Sequence, residues 1–249
     1  MNLHALTFWN SQSQQCNICG RTPFFWLPRG HRHPIIQKLN IIGAGRRFCD
    51  CPFCGSSDRD RLIGYFINKH PQQFNHKKIL HIAPEKPIWK RWKKWGAIAT
   101  GMDARATGYR FSYSKDVLNG NIEKTPFENE TFDWVIANHV LEHVQHEIIA
   151  FQELHRVLKA RGSMIIQVPF TNHLEFTRSS EPNWTKEDCK EQLGQYDHQR
   201  LYGLDFMKKV TNFGFVYKPV QIKKSTALKY RINPHEKIFL FEKQNNHSK

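Results

Sequence analysis

Two short segments, Cys16-Asn-Ile-Cys19-Gly20 and Cys51-Pro-Phe-Cys54-Gly55, repeat the form C-x-x-C-G near the start of the chain. The glycine behind each pair lets the backbone turn so that its amides can reach the thiolate sulfurs. Two such knuckles supply four thiolates, the ligand set of a closed tetrahedral zinc site. Disulfides are disfavoured in a reducing compartment, and a redox-active C-x-x-C has no need of a second copy. The pattern therefore predicts a structural Zn2+ held by Cys16, Cys19, Cys51 and Cys54. Cys49 could stand in for Cys51, although C-x-x-C spacing favours the latter, and the intervening chain leaves room for a hairpin within residues 24–47. His31 and His33 are further imidazoles nearby, but four thiolates already fill the site. Cys189 stands apart as an ordinary core or surface thiol. A closed site keeps no open position, so this zinc is expected to staple the fold and not to catalyse.

A staple is what this stretch requires. Residues 1–57 contain five of the six cysteines and no sustained periodicity, and a segment so small cannot bury enough apolar area alone. From Asp58 onward the pattern changes to strands alternating with helices. Residues 61–70 (RLIGYFINKH) read as an amphipathic helix stopped by Pro71. Strand-like runs follow at 78–83, 97–103, 132–137 and 163–168, with helices expected at 89–95 and 147–158. Residues 214–222 and 237–242 read as an antiparallel closing pair. Alternation of this kind implies an α/β fold with a parallel sheet covered on both faces. The expected division is a zinc-binding module over 1–57 and one α/β domain over 58–249.

At 39% hydrophobic and 13% aromatic residues, the chain can bury a substantial core, which excludes global disorder. No apolar run approaches the roughly 18 residues of a membrane span, so no membrane insertion is expected. Residues 1–15 lack the basic-then-apolar order of a signal peptide, and a cytoplasmic location is the default expectation. The formal net charge of +15 suits polyanionic partners such as RNA, and equally a generally basic surface. In the basic run 86–94 (KPIWKRWKK), Ile88, Trp92 and Trp95 share one face, which leaves the lysines and Arg91 as a solvated outer face.

In an open parallel sheet the ligand lies beyond the C-terminal ends of the strands. The first strand ends in His81-Ile82-Ala83-Pro84-Glu85 and runs into a helix, whose free amides would face an anionic group. The second ends in Asp103, a carboxylate placed to accept two ribose hydroxyls. Asn121 and Ile122 offer a polar and an apolar contact for a base. The next strand ends at Asn138-His139, followed by Val140-Leu141-Glu142-His143.

Residues 127–143 resemble the fourth-strand motif of the type 11 group of class I methyltransferases, and Leu154-His-Arg-Val-Leu-Lys-Ala-Arg-Gly162 is similar to the helix and turn before their fifth strand. Cys51–Gly55, Leu80–Glu85 (L-H-I-A-P-E) and Asp197–Gly203 (D-H-Q-R-L-Y-G) resemble a branch of that group with an N-terminal four-cysteine zinc module. The resemblance covers roughly residues 50–220 and implies a Rossmann-like, seven-stranded sheet with a reversed final hairpin. It also implies S-adenosylmethionine as cofactor. His81 and Ala83 to Glu85 would then lie at the methionine end, Asp103 at the ribose, Asn121 and Ile122 about the adenine, and Asn138 and His139 near the sulfonium. One departure is plain: Ala83-Pro84-Glu85 stand where the group carries a glycine-rich loop. Pro84 removes an amide donor and Glu85 adds negative charge, which a contact from Glu85 to the cofactor's ammonium would reconcile.

Methyl transfer from a sulfonium needs alignment and, for an OH or NH acceptor, a base. His198 is the preferred base and His139 the second candidate, although His139 is also placed to cap a helix. Glu142 and His143 are equally explained by helix packing. Asp197, His198, Arg200 and Tyr202 suit a lid or an acceptor contact, or else the start of a helix, and 171–196 is expected to shape the acceptor pocket. The function expected is methyl transfer to an O or N of a small-molecule or saccharide-type acceptor. An RNA methyltransferase, with the zinc module gripping the backbone, is the alternative, and a non-catalytic binding protein on the same fold is the third reading.

Overall fold

The computed structural model describes residues 14–104 and 116–245. Most of the stretch read for a leader, and most of the polar tail at 244–249, lies outside the described residues. In chain order the elements are β1 (Leu27–Arg29), α1 (Pro34–Lys38), β2 (Arg47–Asp50), α2 (Asp58–Lys69), β3 (Lys78–Ile82), α3 (Lys86–Trp89) and β4 (Ile98–Asp103). Next come β5 (Val117–Asn119), β6 (Phe132–Asn138), a 3-10 turn (Leu141–His143), α4 (Glu147–Val157) and β7 (Leu158–Gln167). The remainder is β8 (Arg178–Ser179), α5 (Lys186–Leu193), β9 (Arg200–Leu201), α6 (Phe206–Thr211), β10 (Phe215–Pro219), α7 (Lys224–Lys229) and β11 (Phe239–Lys243). No helix among the described residues is long and apolar enough to cross a membrane.

Among the described residues the main sheet has seven strands in the order β10-β11-β7-β6-β3-β4-β5. Pairs β3–β4, β3–β6, β4–β5 and β6–β7 are parallel, whereas β11 runs antiparallel to both β7 and β10. The expected parallel sheet with a reversed final hairpin is what forms. Order reverses at β3, which sits between β4 and β6, so a crevice opens beyond the C-terminal ends of these strands.

Strand residues alternate between two cores, as a period of two requires. Leu80, Ile82, Val135, Ala137, Met164 and Ile166 pack against α4 and α6. Ile79, Trp134, Ile136 and Ile165 pack on the other face against α2, and the same cluster takes in Cys16, Ile18, Trp26 and Cys51. The cysteine segment thus shares a core with the sheet. A third cluster joins Ile36, Leu39 and Ile41 of the N-terminal segment to Cys189, Leu193 and Leu201.

Three local expectations are revised. Helix α2 begins at Asp58, three residues before the expected start, because Ser57 and Asp60 form a reciprocal capping box. The expected helix at 89–95 is the four-residue α3 followed by turns through Gly96. Lys86 and Lys90, then Lys90 and Lys94, are like charges at i,i+4, which disfavour continued helix. Ile88 and Trp92 are nevertheless buried and Lys86, Lys90 and Lys94 exposed, as the amphipathic reading requires. The hairpin within 24–47 is β1 against β2, with α1 carried in its long connection.

Candidate functional site

The two knuckles have the same backbone. Gly20 and Gly55 adopt φ of 78° and 74°, and their amides donate to the carbonyls of Cys16 and Cys51 at 2.7 and 2.8 Å. Backbone amides of Ile18 and Cys19 point at the Cys16 sulfur, and those of Phe53 and Cys54 at the Cys51 sulfur. Cys16 and Cys54 sulfurs lie 3.7 Å apart, those of Cys19 and Cys51 3.8 Å, and all four ligand atoms fall within 4.8 Å of one another. A tetrahedron with zinc–sulfur bonds of about 2.3 Å has edges of about 3.8 Å, so this donor set fits the ion. Cys49 is outside the cluster. Its buried thiol faces Asp50 Oδ1 at 3.6 Å, and burial pushes its pKa up to about 12.

A polar clamp ties this segment to the domain. The Arg61 side chain is fully buried over the Trp26 ring and donates to the carbonyls of Ser56, Cys49, Tyr230 and Arg231, each at 2.7 Å. Arg59, two residues earlier on α2 and so on nearly the opposite face of the helix, lines a cavity instead.

That cavity, of about 880 Å3, opens at the C-terminal ends of β3, β4 and β6. Ala83, Asp103, Asn121, Ile122, His139 and His198 are all on its wall. Ala83 and His139, just past the ends of β3 and β6, both adopt left-handed backbone, with φ of 47° and 50°. Such angles cost non-glycine residues roughly 1–3 kcal/mol, a strain that characteristically gathers at functional sites. Each is pinned by a neighbouring strand: Ala83 N–H donates to Met102 O at 2.8 Å, and His139 N–H to Gln167 O at 2.7 Å.

His81, Pro84, Glu85 and Asn138 are not among the lining residues. The His81 side chain is completely buried, accepting from Trp92 Nε1 at 3.0 Å and bonded through Nε2 to Glu85 Oε2 at 2.9 Å. Asn138 Nδ2 donates to the same Glu85 oxygen at 3.3 Å. His81 therefore positions Glu85, and Glu85 ties the end of β3 to that of β6. The short α3, which carries Pro87 in its first turn, offers few amides to an anion. Arg59 supplies the positive charge on this side instead, and its field reaches His139, Glu142 and Glu236.

The opposite wall comes from segments that the sequence did not connect. Arg29, Gly30, His31, Gly43 and Arg47 of the cysteine segment line the cavity, as do Gly194, Gln195 and Asp197. His31 Nε2 bonds to Gly194 O at 3.0 Å, and the apolar cluster of Ile36, Leu193 and Leu201 lies behind that contact. Arg29 and Arg47 are paired with Asp50 and Asp58 at 2.5 and 2.6 Å. Arg200 donates to the carbonyls of Leu141 and Val144, both at 2.6 Å, and Tyr202 Oη to Glu147 at 3.2 Å. These two residues anchor the D-H-Q-R-L-Y-G segment, leaving Asp197 and His198 to face the cavity.

Within the wall His139 Nδ1 and Glu142 Oε1 share a hydrogen bond of 2.9 Å, and Gln199 N–H donates to Glu142 O at 2.6 Å. Burial pushes the Glu142 carboxyl up to about 8, holds His198 down to about 4, and keeps His139 well below the usual imidazole range. Both imidazoles are thus neutral near pH 7, with a nitrogen lone pair available.

A family model described as a methyltransferase domain matches residues 88–166, from α3 through β7. An uncharacterised protein of Methanocaldococcus jannaschii is 39% identical over 59 residues, which are 24% of this chain and 26% of that protein, so the match spans about a quarter of the relative's length. A solved structure from Pyrococcus horikoshii superposes with a TM-score of 0.52 at 18% identity, covering 75% of this chain and 90% of the other. A putative sarcosine dimethylglycine methyltransferase from Galdieria sulphuraria gives 0.50 at 13% identity, covering 75% and 85%. The two superpositions concern the fold. Joined to the strand order, they give this chain a Rossmann-like, methyltransferase-type fold, and the methyltransferase-domain match lies within it.

Proposed function

We propose that the chain transfers a methyl group to an oxygen or nitrogen of a small-molecule or saccharide-type acceptor held in the 880 Å3 cavity. The observation that carries this reading is the gathering of Asp103, Ala83, Asn121, Ile122 and His139 on one wall at the sheet's switch point. Bound S-adenosylmethionine would supply an electrophilic methyl carbon on a sulfonium sulfur. Asp103 would accept the ribose hydroxyls, Asn121 and Ile122 would flank the adenine, and Arg59 would face the methionine carboxylate. Transfer would leave the carbon–sulfur electron pair on sulfur, so the chain's own residues need only hold the acceptor in line and take its proton. His139, fixed through Nδ1 by Glu142, takes the acceptor's proton at Nε2, a nitrogen with no hydrogen-bond partner among the described residues. Cys16, Cys19, Cys51 and Cys54 would hold Zn2+ and so keep the opposite wall folded.

A small acceptor is favoured over RNA because Arg29 and Arg47 at the cavity are already neutralised by Asp50 and Asp58. The test is incubation with S-adenosylmethionine labelled on the methyl group, together with separated pools of saccharides, small metabolites and RNA. Label is expected in a small-molecule pool. Label in RNA alone would overturn the acceptor class, and no transfer to any pool by protein that binds the donor would favour the non-catalytic reading.

A further inference from the structure

Beside the proposed donor site, Glu142, His143 and His198 converge so that one ligand atom from each lies within 4.8 Å of the others. They come from two segments, the 3-10 turn after β6 and the loop before β9, and all three line the cavity. The two imidazoles meet edge-on, with ring centres 4.9 Å apart.

Two of these side chains are buried with an atom left over. Glu142 is 1% exposed and its Oε2 has no hydrogen-bond partner among the described residues; His198 is 6% exposed and its Nδ1 has none either. A buried polar atom without a partner is costly, and an acceptor lone pair on each points to a shared electrophile. The atoms turned the other way are all engaged. Glu142 Oε1 is bonded to His139 Nδ1 at 2.9 Å, His143 Nδ1 to Asp197 O at 3.0 Å, and the His198 ring interacts with the Leu193 backbone. Asp197 Oδ2 lies 3.5 Å from the same His143 nitrogen. Outer contacts of this kind, an imidazole N–H on a carbonyl and a carboxylate held by a second donor, fix the tautomer and aim of metal ligands.

We propose that Glu142 Oε2, His143 and His198 Nδ1 bind a divalent first-row transition-metal ion that faces the cavity. Two imidazoles and one carboxylate suit borderline ions such as Zn2+, Fe2+, Mn2+ or Co2+. Three protein ligands leave coordination positions open, in contrast to the closed four-thiolate cluster. Resting on the methyl-transfer reading, the open positions face the acceptor and take an oxygen-bearing, chelating acceptor. On this assignment His198 is a metal ligand, and His139 alone remains to take the proton.

The test is titration of the full chain, already holding one zinc per molecule, with Co2+ alone, followed by visible absorption and metal analysis. The expected result is one further equivalent with ligand-field bands and no added thiolate charge transfer. Glu142→Gln and His198→Ala, shown to be folded by circular dichroism, are expected to weaken that equivalent by more than about tenfold and to retain the zinc. No second equivalent in the wild type overturns the proposal, as does Co2+ that appears only with thiolate charge transfer. An equivalent that persists in the folded Glu142→Gln variant overturns it too, and this isosteric change serves if His198→Ala does not fold. Binding of S-adenosylhomocysteine is measured on the same wild-type sample. Donor-product binding without a second metal defeats the metal site alone, and a second metal without donor-product binding defeats the methyl-transfer reading alone.

Discussion

Gly43 faces His139 so closely that a Cβ built on the glycine would stand 2.8 Å from the imidazole Cε1. Gly43 belongs to the cysteine segment and His139 to the end of β6, so the contact couples the two walls of the cavity. Gly43 also has φ of 82°, which a side chain tolerates poorly. Gly43→Ala should therefore displace the His139 ring. Affinity for S-adenosylhomocysteine is expected to fall about tenfold, with a stability loss of roughly 1–2 kcal/mol. An unchanged titration and an unchanged melt would show that the two walls are independent.

Arg61 satisfies four buried carbonyls from three parts of the chain. Arg61→Met keeps much of the volume and strands all four acceptors. A loss of roughly 3–5 kcal/mol is expected, corresponding to a Tm lower by on the order of 10 °C for a chain of this size. Thermal unfolding measures it, and a shift of only a degree or two would mean that water replaces the guanidinium there.

Metal retention separates Cys49 from Cys51, two residues apart. Cys51→Ser should lose the zinc on dialysis and, with it, the cavity wall formed by His31 and Gly43, which weakens donor-product binding. Cys49→Ser should keep one zinc per chain. Equal loss in both variants would contradict the ligand set.

The Glu236 carboxyl is fully buried, with Asp58, Arg59 and Arg47 nearby, and burial followed by the Asp58 charge pushes its pKa up to about 7. Its folded value lies above the unfolded one of 4.5, so its contribution is complete below pH 4.5 and is lost as pH rises through about 7. Glu236→Gln removes that titration. Relative to wild type, the variant should gain up to about 3 kcal/mol between pH 5 and pH 8, read from denaturant melts across that range. A pH-independent difference between the two proteins would contradict it.

Much of this architecture was legible because its signals are local. The C-x-x-C-G repeats and the apolar runs of β3, β4, β6 and β7 could be read directly, and so could Asp103 and His139 at strand ends. β5 escaped because Val117–Asn119 is only three residues long. The true start of α2 was written in Ser57-Asp-Arg-Asp60, a capping pattern that the hydrophobic periodicity alone does not display. The second cavity wall was not legible. It depends on Ile36 meeting Leu193 and Leu201 and on His31 meeting Gly194, contacts across more than 150 residues with no periodic trace. The role of His81 was hidden for a similar reason, since only the fold shows Trp92 and Glu85 closing around it.

The most direct test of the methyltransferase reading is calorimetric titration of the zinc-loaded chain with S-adenosylhomocysteine, alongside Asp103→Ala. Micromolar binding is expected in the wild type, weakened about tenfold to a hundredfold when the carboxylate is removed. A folded, zinc-loaded wild type that gives no heat of binding, or an Asp103→Ala variant that binds as tightly as the wild type, would contradict the assignment of this cavity as the donor site.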